Sequence, residues 1–596
     1  MHRLASPPAP VPVPVSVPAA PGGPARVAPW PAEAAWPWLL AAAACALSLL
    51  RTGYSFDFGN NAFHIPIVLR FAELPQFADD PFVLSLGRFV SPVYPLLSLV
   101  ATEDNAPALF FAGLACAHLL TFYALLRIGA LCGVEGRVEQ AAFVFLLVAT
   151  RGLYWNSPVG ADGMLGDAFS HTEVARAVAL LALAGLLCGR AVRAGALAGL
   201  AFAINAFVGL WTLVPVAVWH ALAPMAGAGR AARLRSLLRA GAAFAVPAAP
   251  VAVWIAAASA GGAADFDYRA FLLDYYPNHF FLHASSPWQV ARLACAVLAG
   301  GLAAGLLDRG RGVPLVLASL AGVFVAGVPV GMFVESRLVL NLHLLRVDGM
   351  MVMLSAALVA AATVAQVRRG RPVALAAAAL ACLGLFAGFW PVVAAAMLLA
   401  HGPRVWPALD RAPRWPRAPR RVAARATWPV PRRVAFLAGV LVLAGGGSLY
   451  AWSLRQVQPA GPPSNRDLVG GDPPVRDWLA VKLWARRATP ADAVFLLPPG
   501  LDDGFRTGAR RRVWVGWKDG ATAMWAPWTY HAWRRRREET RGLDGLGPSL
   551  AYACAHDITH VVLDLRPRGG IPADPARAVF LNRWFEVHAA RCAEPG

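Results

Sequence analysis

Between residues 53 and 82 the chain gathers side chains suited to moving a proton. The run Gly53-Tyr54-Ser55-Phe56-Asp57-Phe58-Gly59-Asn60-Asn61-Ala62-Phe63-His64-Ile65-Pro66 puts a carboxylate, two amides and an imidazole directly after the first long apolar stretch. Asp79-Asp80-Pro81-Phe82 adds a second acidic pair. Asp57, Asp79, Asp80 or the His64 imidazole can take the proton of an attacking hydroxyl that comes within hydrogen-bond reach, and Asp57 is the best placed of them. The same residue types also serve locally: Asp57 and Asn60 as turn caps, and the Asp79-Asp80 pair as the cap of a helix opened by Pro81.

Two other clusters carry cations. His171, Glu173 and Arg176 open an apolar stretch, where Glu173 and Arg176 can pair at i,i+3. If His171 or Arg176 instead faces a cavity, either can contact a phosphate, which arginine holds bidentately. Glu335, Arg337, Asn341, His343, Arg346 and Asp348 fall at one helix boundary. Arg337 and Arg346 are phosphate candidates there, set against snorkelling and pairing with Glu335 and Asp348. Asn205, in an apolar segment, fits an interhelical hydrogen bond. Trp514, Trp517, Trp525, Trp528 and Trp533 form either a stacking wall or a packed aromatic core, and Arg534 to Arg537 read as a solvated helix face.

The elements that must position these groups are membrane helices. Of 596 residues, 58% are hydrophobic and 15% charged, against about 25% charged in soluble domains, and the mean hydropathy is +0.51. The net charge of +20 belongs to arginines that mark cytoplasmic loops, so no nucleic-acid partner is expected. Cysteines 45, 116, 132, 188, 295 and 382 lie singly in or beside apolar runs, whereas Cys554 and Cys592 fall in a polar region and can pair if it is extracytoplasmic.

Residues 1–33 are a Pro-rich, disordered cytoplasmic tail. Apolar helices follow at about 36–51, 106–131, 138–154, 172–189, 194–207, 208–223, 240–258, 287–307, 313–333, 347–366, 373–387, 388–402 and 434–453, giving an α-helical polytopic domain over 34–453 with about 11–13 transmembrane helices. Arginine-rich and acid-bearing loops alternate, which puts the N-terminus inside and the first loop, 52–105, outside. Within it, 65–74 and 89–100 suit helices lying at the membrane interface. Residues 454–596 form a C-terminal extracytoplasmic α/β domain, with helices at 475–488 and 526–541 and strands at 493–497, 512–517, 560–565 and 584–588.

This layout resembles the GT-C class of integral-membrane glycosyltransferases. The segments 60–66, 79–82 and 169–176, with Gly504-Phe505-Arg506 and Val515-Gly516-Trp517-Lys518-Asp519-Gly520, are similar to bacterial multi-pass proteins of the DUF6798 type. The resemblance implies a bacterial inner-membrane enzyme that moves a sugar from a polyprenyl-phosphate donor to a glycan, lipid or protein acceptor outside the cytoplasm. A carboxylate of the first outer loop would be the general base. A divalent metal is compatible with Asp57 and a second carboxylate, and no cofactor is specified. A transporter or flippase, and a non-catalytic membrane assembly protein, are the alternative classes.

Overall fold

A computed structural model of the chain describes residues 35–57, 59–154, 156–223, 229–259, 265–310, 312–405, 431–457, 475–501 and 504–592. The tail 1–33 and most of the arginine-rich stretch 404–433 lie outside these residues.

The apolar runs are long helices, among them Ala35–Thr52, Ala106–Leu131, His171–Leu187, Arg230–Ser259, Pro287–Leu306, Val313–Phe333, Asp348–Arg369 and Pro431–Val457. Among the described residues, seven are long and apolar enough to cross a membrane by length and composition. The two expected splits also occur. Helices Ala191–Ile204 and Ala206–Leu222 break at Asn205, whose extended backbone lets its side-chain oxygen cap Phe207 N–H. Helices Pro372–Ala387 and Trp390–Val405 break at Gly388, whose φ of 71° ends the first of them. Helix Asp348–Arg369 is buried from Asp348 to Val367 and forms the centre about which the others pack.

The two ends of the bundle differ chemically. At one end arginines meet the few acids available: Arg309 with Glu135, and Arg368 and Arg433 with Glu139. At the other, the loop after the first helix folds into short helices Asn61–Val68, Pro81–Ser85 and Val93–Ser98. The helix expected over 65–74 begins earlier and stops at Val68, because Arg70 turns left-handed (φ 52°) into a 3-10 turn.

Against this end sits a C-terminal α/β unit with strands β1 (Val494–Leu496), β2 (Arg512–Val513), β3 (His560–Asp564), β4 (Phe580–Leu581) and β5 (Phe585–Ala589). Their order is β2-β1-β3-β5-β4, with β1 parallel to β2 and β3, and β5 antiparallel to β3 and β4. Helix Val475–Ala488 covers one face through Trp478 and Val481, which pack with Phe495, Phe505, Val562 and Phe585. The strand expected over 512–517 is only two residues long, since the chain soon turns into the 3-10 helix Lys518–Met524. Cys554 and Cys592 are joined in a disulfide, with Cα atoms 5.4 Å apart.

Candidate functional site

The acids of the first loop turn toward the C-terminal unit. Asp57, at φ 67° in the left-handed region that aspartate tolerates, accepts from Lys482 Nζ at 2.9 Å and from the Thr507 hydroxyl. Asp80 caps helix Pro81–Ser85, accepting from Phe82 N–H at 3.0 Å, and its other oxygen receives Arg506 Nε, also at 3.0 Å. Arg506 in turn grips Asp519 with both terminal nitrogens, at 2.7 and 2.9 Å, and lies over the Phe82 ring. Burial opposes its charge, but Asp519 and Asp80 overcome that and raise its pKa above the ordinary guanidinium value. Glu103 completes the contact by pairing with Arg486 and Arg510. Asp79 is exposed. Asp57 and Asp80 therefore hold the two units together, and the capping use expected of Asp80 is present.

The phosphate candidates divide. Arg176 and Arg346 converge on Asp162, at 2.6 and 2.7 Å. Arg176 thus pairs with this loop acid rather than with Glu173 along its own helix. Glu173 instead accepts from Gly166 N–H. Asp348 does not pair with Arg346; it receives Ser157 Oγ and the N–H groups of Val159 and Gly160. Arg346 keeps a buried Nε with no hydrogen-bond partner, and it bears electrostatically on His171, His279 and His343. Arg337 opens helix Arg337–Leu340, acts on Tyr268 and likewise keeps a buried terminal nitrogen with no hydrogen-bond partner.

Around Arg346 the loops build a cluster of imidazoles and aromatic rings. His64 stacks on Tyr94 with ring centres 4.1 Å apart, and its ring lies 5.6 Å from that of His171. Asn205 Oδ1 is committed to Phe207 N–H, so its amide N–H donates to His171 Nε2 at 3.2 Å; His171 then donates from Nδ1 to the Tyr94 oxygen at 2.9 Å. The interhelical role expected of Asn205 is thereby extended to a loop. His279 donates from Nδ1 to Gly160 O at 2.7 Å and leans on Tyr276, whose ring neighbours Trp517. Phe89 bridges His171 to Trp525, and Trp525 meets Phe63 edge-on. Lys518 projects between these walls: its Nζ donates to Asn60 Oδ1 at 3.1 Å, and its charge acts on both His64 and His279. Burial first, with His171 and Lys518 behind it, holds His64 well below the ordinary imidazole value, so it is uncharged at neutral pH. Its Nδ1 faces Asn61 Oδ1 at 3.4 Å, which leaves the lone pair on Nε2.

Residues 476–540 match the family model described as Domain of unknown function (DUF6798). No curated protein matches the chain. The DUF6798 segment contains Lys482, Arg506, Thr507, Lys518 and Asp519, and so supplies the partners of Asp57, Asp80 and Asn60. Sequence reasoning gave no site role to Lys482, Asp162 or His279, and it met Lys518 only as part of a DUF6798-like segment and a turn. The two lysines carried a signal: they are the only lysines among 54 basic residues, and both contact the first loop.

The tryptophans also divide. Trp533 is buried and donates to Gly516 O, Trp517 stacks on Tyr275, Trp525 joins the imidazole cluster, and Trp528 is exposed. Arg536 and Arg537 are stacked on Trp514 and Trp533 rather than simply solvated. Among the described residues, no group of three or more His, Cys, Asp or Glu side chains is arranged to hold a metal ion.

Proposed function

We propose that the chain is a GT-C-like membrane glycosyltransferase that moves a sugar from a polyprenyl-phosphate donor to an acceptor on the extracytoplasmic face of a bacterial inner membrane. One observation carries this reading: Arg346, with an unpartnered Nε, shares an aromatic-walled cluster with the uncharged imidazoles of His64, His171 and His279. Sugar transfer needs a cation for the departing phosphate and a base for the acceptor hydroxyl, and aromatic faces suit a sugar ring.

In this reading Arg346 holds the donor phosphate from its Asp162-braced position, and Arg176 braces Asp162 from behind. His64 Nε2 takes the acceptor proton, because Asp57 and Asp80 are engaged by Lys482, Thr507 and Arg506. A small apolar hollow lined by Phe280, Gly331, Leu340, Leu344 and Leu345 involves the sequence neighbours of His279 and Arg346. Lipid-linked sugars extracted from cells lacking the protein should show one polyprenyl-phosphate sugar accumulating, and wild-type but not His64→Gln protein should relieve it. An unchanged lipid profile would count against transfer altogether.

A further inference from the structure

The cluster around Arg346 contains a second cation that the proposed function does not use. We propose that Lys518, delivered by the DUF6798 segment, is the second cationic ligand of the donor's phosphate, so that the site is complete only when that segment is docked. This inference rests on the donor reading given above.

Three observations carry it. Lys518 reaches into the first loop, with its Nζ 3.1 Å from Asn60 Oδ1 and near the Phe63 ring. A continuous run of rings, Trp517 to Tyr276 to His279, leads from the lysine's neighbour to Gly160, which packs directly on the backbone of Arg346: a Cβ at Gly160 would stand 2.6 Å from Arg346 Cα. His279, which ends this run, is within electrostatic reach of both Lys518 and Arg346. Cations approaching from different elements suit a tetrahedral phosphate, with arginine as the planar donor and lysine as the point charge. The position of Lys518 is fixed from behind, because the next residue, Asp519, is the carboxylate that Arg506 holds against Asp80.

The chain's two lysines make the test direct. Reductive methylation with carbon-13 labels Lys482, Lys518 and the N-terminal amine, and Lys482→Arg assigns the spectrum. The full-length protein in detergent is titrated with a long-chain polyprenyl monophosphate and, separately, with inorganic phosphate. The expected result is that the lipid moves the Lys518 signal and leaves that of Lys482 in place. Lys518→Met should weaken lipid binding by about tenfold or more, and Lys518→Arg should restore most of it. A shift with inorganic phosphate at higher concentration would show that the headgroup alone is recognised. If the lipid binds wild-type and Lys518→Met protein equally and the Lys518 signal stays still, the inference fails while the donor reading stands. If the lipid does not bind the wild type, the donor reading fails and takes the inference with it.

Discussion

Arg506 Nε lies 3.0 Å from Asp80 Oδ2, although 426 positions separate them in the chain. Arg506 is buried, with Asp80 on one edge of its guanidinium and Asp519 on the other, so removing Arg506 leaves two carboxylates without their shared countercharge. Arg506→Met should cost about 3–5 kcal/mol. Limited proteolysis would show the C-terminal unit released from the bundle, and thermal melts in detergent would give the size of the loss. Wild-type protease resistance in this variant would show that the contact does not hold the units together.

Gly504 is the second point of close fit. Its φ is +64°, and a Cβ there would stand 2.3 Å from Asp57 Oδ2. Gly504→Ala should destabilise by about 1–3 kcal/mol through backbone strain and collision. Pairing it with Asp57→Ala in a double-mutant cycle isolates the side-chain part of the collision as coupling, because the Asp57 carbonyl oxygen, 2.5 Å from the same Cβ, stays in place.

Asp162 is wholly buried beneath two arginines, of which Arg176 is buried and Arg346 partly open. Asp162→Asn should lower stability by about 3–5 kcal/mol, because Arg176 would keep its charge with no countercharge beside it. Arg346→Gln should be milder on Tm and stronger on donor binding. If both variants lose stability equally and bind donor equally, Arg346 is only a structural brace.

Burial keeps His64 and His279 uncharged in the folded chain, with pKa values well below the ordinary 6.5. An unfolded chain protonates them as pH falls past about 6.5 and the folded chain does not, so the unfolded state binds more protons below that point. The stability they contribute is present above about pH 6.5 and is lost as pH falls toward their folded values. A Tm series across this range should decline on the acid side, and His64→Gln with His279→Gln should flatten the decline. An unchanged slope in the double variant would assign the effect to other groups.

The disulfide between Cys554 and Cys592 closes a segment of 38 residues. Cys554→Ser should lower the stability of the C-terminal unit by about 2–4 kcal/mol. Melting with and without reductant checks this, since reductant should bring the wild type down to the variant and leave the variant unmoved.

Most of the fold was legible in the sequence because the length of an apolar run sets the length of a helix. Even the breaks at Asn205 and Gly388 could be anticipated, since arginine-rich segments flank both pairs. Strand β4, two residues long, left no pattern long enough to measure, and β2 was expected over 512–517 but stops at Val513. The site was half legible. His64, His171 and Arg346 stood out as polar groups at apolar boundaries and do gather in one cluster. Their neighbours did not stand out, because local spacing rules say nothing about partners hundreds of residues away. Arg176 shows the limit of such rules: the i,i+3 geometry offered Glu173, but the buried loop acid Asp162 made the stronger claim on its charge. Asp57 and Asp80 were prominent as acids, and what spacing could not supply was their partners Lys482, Thr507 and Arg506 in the C-terminal unit.

The distance along the chain between Asp80 and Arg506 also sets a schedule. A ribosome has made all of the long apolar helices described here before Arg506 exists, so the acids of the first loop must wait uncovered until nearly the last of the chain has emerged. A chain cut short anywhere before the DUF6798 segment therefore displays Asp57, Asp80 and Glu103 without their countercharges.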